Sequence, residues 1–567
     1  MNTATIPAGP TAVDTEVDLL VIGSGTGMAA ALAAHELGLS TLVVEKTSTV
    51  GGSTARSGGA FWIPANPALA EDGAADSLAR AREYLAAVVG DTTPEQRWLA
   101  FLEHGPAAVA MLGRTTPMKF FWAKGYSDYH PENPGGSSQG RTCECTPLDV
   151  TEALGEERGR LRPGPLAAPI PMPVTGADYK WLNLMAKAPA KALPRIVKRA
   201  LQGVGGLVIH REYAAGGQAL AAGLFSGLIR AGIPVWTNTS VVDLIVEDAR
   251  VTGAVLDQRG TTVSVRARRG VVLAAGGFDH DLQMRQAHQS PSLTHDVSLG
   301  AEGNTGDAIK LAQRYGADID LMDQSWWFPA VAPMGEDAPQ VLLAERSLPG
   351  SFMVDQHGRR FINEADDYMT FGQGVLAREQ AGDPVEQMWL VFDQAYRNSY
   401  VMAGVLFPRM PIPQAWYDAG ISAKGSDAAT LARAAGLPEG TFVEALQRFN
   451  TLAANGNDED YHRGESAYDR YYGDPTVTPN PNLRPLRGML YAVKVVLSDL
   501  GTCGGVRADE RGRALRADGS PVEGLYAIGN TAANAFGACY PGTGATIGQG
   551  LVYGYIAARD AAGHPAD

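Results

Sequence analysis

The chain is poor in cysteine: Cys143, Cys145, Cys503 and Cys539 are the only four among 567 residues. They show no C-x-x-C spacing, so neither a zinc site nor a disulfide scaffold is indicated, and no metal is expected. No stretch reaches the ~20 consecutive apolar residues of a membrane span. The first sixteen residues lack a basic segment followed by an apolar core, so no secretory signal is expected and the cytoplasm is the expected compartment. Positive charge is in deficit, with 47 Lys and Arg against 61 Asp and Glu for a formal charge of −14. That balance argues against a nucleic-acid partner and is ordinary for a soluble enzyme. Glycine, by contrast, is plentiful at 67 residues, and its clusters carry the chemistry.

Val17 to Ile22 is a short apolar run that fits a buried parallel strand. Gly23-Ser24-Gly25-Thr26-Gly27 follows, then an Ala-rich run of helix formers from Met28 to Leu37, then a second strand, Thr41 to Val44, ending at Glu45. Such a strand–turn–helix–strand–acid unit suits a dinucleotide. Glycines let the backbone approach a pyrophosphate at a helix N-terminus, and the acid accepts hydrogen bonds from a ribose. Met28 takes the strict third-glycine place, with Gly27 one residue early, so close packing there must tolerate a side chain. Lys46 leads to a second glycine cluster, Gly51 to Gly59, which a nicotinamide domain does not need but a long FAD does. Val241 to Glu247 and Val251 to Val255 read as a hairpin. Arg268 and Arg269, on the way to the strand ending at Gly276-Gly277, read as solvated strand-edge charges.

Near the carboxyl end, Gly524 to Thr531 reads as a buried strand with a glycine turn, followed by Tyr540-Pro541-Gly542-Thr543-Gly544. Alone, that stretch fits an ordinary turn with a packed tyrosine. Beside a flavin, it brings a phenol and backbone N–H groups to the strand's end. Neutral donors of this kind suit a ketone, whereas a carboxylate would call for arginines.

Together these motifs resemble the fumarate reductase and succinate dehydrogenase flavoprotein superfamily, and within it the 3-ketosteroid 1-dehydrogenases. The likeness covers nearly the whole chain. Its further landmarks are Asn304-Thr305-Gly306-Asp307, Leu497 to Thr502 and Gly529-Asn530-Thr531. It implies an α/β fold: a discontinuous Rossmann-like FAD-binding domain (1–324 and 502–567) with an inserted α+β substrate domain (325–501). A chain of this length also exceeds one compact core. The resemblance implies noncovalent FAD lined by Gly23, Ser24, Gly25, Thr26, Gly27, Glu45, Lys46, Gly51, Gly52, Ser53, Thr54, Ser57, Gly58 and Gly59. Farther along, Val241, Ala275, Gly276, Asn304, Asp307, Gly529, Asn530, Gly544, Thr546 and Ile547 join them. No histidine in or beside the Gly51–Gly59 cluster offers a covalent link.

By the same resemblance, Tyr368 after Asn363-Glu364 is the general base and Tyr129 of Asp128-Tyr129 supports it. His130 stands where a second tyrosine is often found, so that match rests on Asp128. Tyr540 and the Gly544 amide hold a steroid 3-oxo group. Removing an α-proton beside a ketone and a hydride from the next carbon makes a double bond, and donors at the oxygen stabilise the developing enolate. A phenol ordinarily titrates near 10, so Tyr368 as base is expected to have a lowered pKa, through Tyr129 and positive surroundings. The expected partners are a 3-oxosteroid and an external, quinone-like electron acceptor.

Trp326, Trp327 and Phe328 are expected either as walls for a flat substrate or as core. Tyr461 to Glu465 and Tyr468 to Tyr472 are expected at a lobe surface or pocket rim. Between Pro163 and Leu207 lie Lys187, Lys191, Arg195, Lys198 and Arg199 amid apolar residues, with Pro189 and Pro194 expected to break any long helix. This reads as a solvated excursion, or as a weak peripheral membrane contact. The competing readings are a 4-ene-forming steroid dehydrogenase, a fumarate-reductase-like enoate or dicarboxylate reductase, and a flavin-binding protein with a degenerate site. The reductase would need His and Arg where Phe536 to Tyr540 stand.

Overall fold

β1 (Thr15–Ile22) is buried without a break from Leu19 to Ile22, as a strand covered on both faces must be. The computed structural model describes residues 15–164, 172–335 and 337–564 and sets β1 at the centre of an eight-stranded sheet. The expectation of no secretory signal therefore falls largely outside the described residues. β2 (Thr41–Val44) and β3 (Thr261–Leu273) flank β1, both parallel to it. Val235–Trp236 extends the parallel set beyond β2, and Pro521–Ala527 beyond β3. α1 (Gly27–Glu36) connects β1 to β2. Thr239–Glu247 and Arg250–Gln258 form the expected hairpin, turning through Asp248 and Ala249 at φ 48° and 61°. Two successive positive φ values give the turn that follows the natural strand twist. Arg268 pairs with Glu16 and Asp18 at the surface, a strand-edge charge as expected.

α2 (Gly176–Asn183) opens with a capping box between Thr175 and Asp178. α3 (Pro189–Val208) then runs for 20 residues, so the expectation that its prolines would break a long helix is corrected. Pro189 sits in the first turn, where its missing N–H costs nothing, and Pro194 removes only one internal bond.

Six antiparallel strands, all from between Ser325 and Thr502, make a second sheet. Its order is Gln340–Val341, β4 (Ser325–Val331), β5 (Leu490–Thr502), Met388–Asp393 and Ser351–Asp355, with Ser422–Gly425 also on β5. α4 (Tyr368–Gln380) lies close against β4, where a Cβ on Gly372 would stand 2.1 Å from that of Trp327. The chain then returns to the first sheet. α5 (Ala545–Ala561) packs on α1 through small residues, and a Cβ on Gly554 would sit 3.0 Å from the Ala30 amide nitrogen. Among the described residues no helix is long and apolar enough to cross a membrane.

Candidate active site

A cavity of about 760 Å³ runs from the carboxyl ends of the parallel strands to the second sheet. Its first wall is the β1–α1 turn. Gly23 has φ +109°, and a Cβ there would lie 2.2 Å from the Ala274 carbonyl oxygen, so no other residue fits without moving β3's end. Gly27 supplies the close helix–sheet contact, since its Cβ would meet Ala274 and Val21 at 2.8 and 2.9 Å. Met28 instead points into the core, fully buried. The expectation that this contact must tolerate a side chain is corrected: the glycine one residue early does the work. No side chain caps α1, and the start of the helix, at Thr26, faces the cavity with the positive end of its dipole.

Glu45 is held by four bonds. Ser24 Oγ and N donate to Oε2 at 2.6 and 3.3 Å, and Thr47 Oγ1 and N donate to Oε1 at 2.8 and 2.9 Å. A ribose hydroxyl would replace one of the two hydroxyl donors, because a carboxylate has about four lone-pair sites. Lys46 Nζ lies 2.6 Å from Asp307 Oδ2, and Ser53 Oγ accepts from Asn304 Nδ2 at 2.9 Å. All the expected cofactor residues line this cavity except Gly27 and Gly51. Gly51 is one layer back, where its N–H donates to Ser24 Oγ at 3.0 Å. No histidine and no cysteine lines the cavity among the described residues. The glycine cradle, the uncapped helix start and the anchored acid fit an extended dinucleotide such as FAD.

At the other end the α5 N-terminus faces the cavity, also without a side-chain cap. Gly544, at φ +89°, passes so close to Ala60 that a Cβ would lie 2.2 Å from its carbonyl oxygen. The Gly544 amide donates to Tyr540 Oη at 3.3 Å, so both groups face one point where a substrate oxygen could take the amide's bond and accept the phenol's proton. Two donors that close can converge on a single oxygen atom. Asn530 Oδ1 accepts from Thr546 Oγ1 and Trp326 Nε1, bracing the same wall.

Tyr368 is the first residue of α4, which Asp367 caps by accepting from the Met369 and Thr370 amides at 3.0 Å. Arg346 Nη1 donates to the Glu364 and Asp366 carbonyls, both at 2.6 Å, and so holds the approach to Tyr368. The Tyr368 ring centroid lies 5.4 Å from both Tyr129 and Tyr540, and 4.9 Å from Phe328. Tyr129 does not line the cavity; it stands behind, its hydroxyl accepting from Thr543 Oγ1 at 3.0 Å. Asp128, fully buried, fixes that loop through Trp62 Nε1, the Ser137 amide and Arg141. Burial pushes its carboxyl up to about 6, against the pull of Arg141.

Burial also raises the Tyr368 phenol well above its ordinary value, reinforced by Tyr540, Tyr126 and Tyr468 and opposed by the bond with Tyr129. This corrects the expectation of a lowered pKa: the neighbours that act most strongly on the group are phenols. Tyr126 lines the cavity, with burial raising it to about 12, and bonds Tyr472 Oη at 2.6 Å. Tyr468 packs on Tyr129 at 4.7 Å between centroids. The three tyrosines of the Tyr468 to Tyr472 stretch are thus neither surface nor rim but buried behind the cluster, while Arg470 between them is exposed. Arg463, expected in a surface or rim segment, is likewise buried and paired with Glu364. Of the three aromatics on β4, Phe328 alone lines the cavity; Trp326 packs on Tyr540, and Trp327 is core.

Sequence reasoning missed Tyr126, Tyr468, Tyr472 and Thr543 as members of this cluster. The Tyr126–Tyr129 spacing of three and the dense Tyr468–Tyr472 run were the only signals. The two arginines on the cavity wall belong to the glycine end: Arg162 Nη2 donates to Thr47 Oγ1 at 2.9 Å, and Arg56 lies 3.8 Å from Glu302. Beyond the tyrosines the wall is largely apolar, with Leu182, Val341, Leu343, Val401, Val405 and Phe407, and Asn183 beside Leu182. A neutral carbonyl compound with an apolar body fits this end, and a dicarboxylate does not.

The sequence profile of the FAD binding domain family matches residues 18–547. The chain is 45% identical over 560 residues to a 3-oxosteroid 1-dehydrogenase of Mycolicibacterium smegmatis, covering 96% of this chain and 97% of the relative. It is 34% identical to a 4-oxocyclohexanecarboxylate 2-dehydrogenase of Sinomonas cyclohexanicum, covering 97% and 93%. Among solved structures it is similar to a 3-ketosteroid Δ1-dehydrogenase of Sterolibacterium denitrificans in complex with 1,4-androstadiene-3,17-dione. That match has a TM-score of 0.89 and 36% identity, over 97% of this chain and 100% of the other.

Proposed function

Since the chain belongs to the FAD-binding flavoprotein family that includes the 3-oxosteroid 1-dehydrogenases, we propose that it introduces a C1–C2 double bond into 3-oxosteroids in steroid breakdown. The observation that carries this reading is the pair of neutral groups, Tyr540 Oη and the Gly544 amide, 3.3 Å apart beside Tyr368, with no cation lining that end among the described residues. Both donate to the 3-oxo oxygen. Tyr368, as phenolate, takes the proton from C2, and the charge that flows onto the oxygen is met by the two donors. Each well-placed donor of this kind contributes roughly 2.7–4 kcal/mol to the transition state. FAD, when bound, supplies the acceptor for the hydride that leaves C1. Tyr129 hydrogen-bonds Tyr368 and stabilises its charged form. The apolar wall from Leu182 to Phe407 takes the remaining rings and excludes water.

In this reading FAD is bound noncovalently, its pyrophosphate at the start of α1 and a ribose at Glu45. Residues 1–324 and 502–567 form a discontinuous Rossmann-like domain, and 325–501 the inserted α+β substrate domain. A quinone-like acceptor reoxidises the flavin, the compartment is the cytoplasm, and peripheral contact with lipid supplies so apolar a substrate. The test is anaerobic bleaching of the flavin absorbance by a panel of compounds. A 3-oxo-4-ene steroid should bleach it and yield the 1,4-diene. Fumarate, succinate and 4-oxocyclohexanecarboxylate should leave it unchanged. Bleaching by the small oxo acid but not by the steroid would overturn the reading.

A further inference from the structure

Two sequence landmarks, Asn304 to Asp307 and Leu497 to Thr502, meet behind the cavity wall around one carboxyl group, Asp279. Asp279 follows the Gly276-Gly277 end of β3 and is fully buried. Asn304 Nδ2 donates to its Oδ2 at 3.1 Å and to Ser53 Oγ at 2.9 Å. Asn304 and Ser53 both line the cavity, so one amide ties the buried acid to the cofactor cradle. The packing leaves little room for a shift. A Cβ on Gly300 would stand 1.9 Å from Asp279 Oδ2, and one on Gly276 would stand 2.2 Å from Asn304 Oδ1.

The charges around Asp279 do not balance. Asp499 of β5 is fully buried and pairs with Arg285 at 2.8 Å. His280 Nδ1 lies 2.7 Å from Asp296, and its Nε2 is 3.8 Å from Asp279 Oδ2. Three carboxyls thus face one guanidinium and one imidazole, and Asp279 is the acid in excess. Its Oδ1 has no hydrogen-bond partner among the described residues. Counting hydrogens leads to the same group. Ser298 Oγ accepts from the Gly300 amide at 3.1 Å and donates to Asp499 Oδ1 at 2.7 Å. A hydroxyl has one hydrogen, so its remaining contact, 3.3 Å to Asp279 Oδ2, is a bond only when Asp279 brings the proton. Burial, with Asp499 beside it, pushes this carboxyl up to about 7, against the pull of His280.

We infer that Asp279 is a positioning residue for FAD that works through its proton. Protonated, it fixes Asn304 and, through Asn304, Ser53 in the cradle. Ionised, it sets a buried negative charge without a partner behind a site that takes pyrophosphate, and the cofactor loosens. Linkage is reciprocal, so bound FAD in turn holds the proton on Asp279. The inference rests on the FAD site of the proposed function; the steroid plays no part in it.

The experiment is dilution of the holoenzyme at a series of pH values, with free FAD read by its fluorescence to give Kd. Wild type should show a constant Kd below about pH 7 and a rising one above it, by up to about tenfold per pH unit for one proton. Asp279→Asn stays uncharged and can still accept from Asn304. Its Kd at about pH 6 should lie within about tenfold of wild type, the worth of one bond, and should not rise above about pH 7. Release of FAD from wild type in weak buffer at about pH 8 should also free a proton from Asp279, and release from the variant should free none. A wild-type Kd that stays constant from about pH 6 to about pH 9, or a rise that Asp279→Asn retains, would overturn the inference. If the variant does not fold, the wild-type Kd and proton count decide alone. Wild type that holds no FAD at any pH would overturn the FAD site itself and the inference with it.

Discussion

Tyr368 sits among phenols, and its burial makes the phenolate costly to form. Below its pKa, the fraction of phenolate rises about tenfold with each pH unit. The logarithm of kcat/KM should therefore climb with a slope near one through the neutral and alkaline range, without levelling below about pH 10. A plateau near neutrality would point to a different base. Tyr368→Phe keeps the ring and removes the accepting oxygen. Flavin reduction should fall by roughly 10²–10⁴, the usual worth of a positioned base, while FAD content and steroid binding stay largely intact. Tyr129→Phe should lose less and shift the pH profile upward, because the bond that eases phenolate formation is gone. Tyr540 and Gly544 act only through the substrate's oxygen, so a 3-hydroxysteroid of the same skeleton should bind poorly and leave the flavin oxidised. Rapid bleaching by a pure 3-hydroxy compound would show that these donors serve another purpose.

At the scale of elements, the β1–α1 turn depends on Glu45 twice. Its carboxylate anchors Ser24 in the turn and Thr47 beyond β2, and it is the acceptor for a ribose. Glu45→Ala should lower FAD content measurably after gel filtration and make the remaining FAD dissociate faster; an unchanged FAD stoichiometry would remove Glu45 from the cofactor site. A comparable anchor stands behind α4. Glu364 is fully buried and pairs with Arg360 at 2.7 Å and Arg463 at 3.2 Å, while Arg360 also holds Asp458 at 2.6 Å. Burial alone would raise the Glu364 carboxyl, but the two guanidinium groups hold it below the usual carboxylate range. A depressed folded pKa contributes stability that is present above the unfolded value and lost as pH falls through the folded one. Glu364→Gln leaves Arg463 buried with less charge compensation, and breaking such a pair costs about 3–5 kcal/mol. Thermal unfolding should shift clearly downward in that variant near neutral pH, and the gap from wild type should narrow in acid.

For the whole molecule, the cavity joins walls supplied by both sheets. No histidine or cysteine lines it among the described residues. Denaturation should release free FAD into the supernatant, and flavin that stays with the precipitated chain would refute noncovalent binding.

The features legible in the sequence were those written over short spans. The run Val17 to Glu45 specifies a strand, a turn, a helix and a strand because burial periodicity and glycine placement act within a few residues of one another. Its third tight contact was misassigned, since which of Gly27 and Met28 faces Val21 depends on the helix's rotation against the sheet. The expected Tyr129, Tyr368, Tyr540 and Gly544 came from separate motifs far apart in the chain, and the structure brings them within a few ångströms. Their phenolic neighbours Tyr126, Tyr468 and Tyr472 carry no motif of their own, because proximity across 346 residues is decided only when the two sheets close. The direction of the Tyr368 pKa shift belongs to that same closure: the sequence names the titratable group, while burial, a property of the packed whole, sets which form it favours.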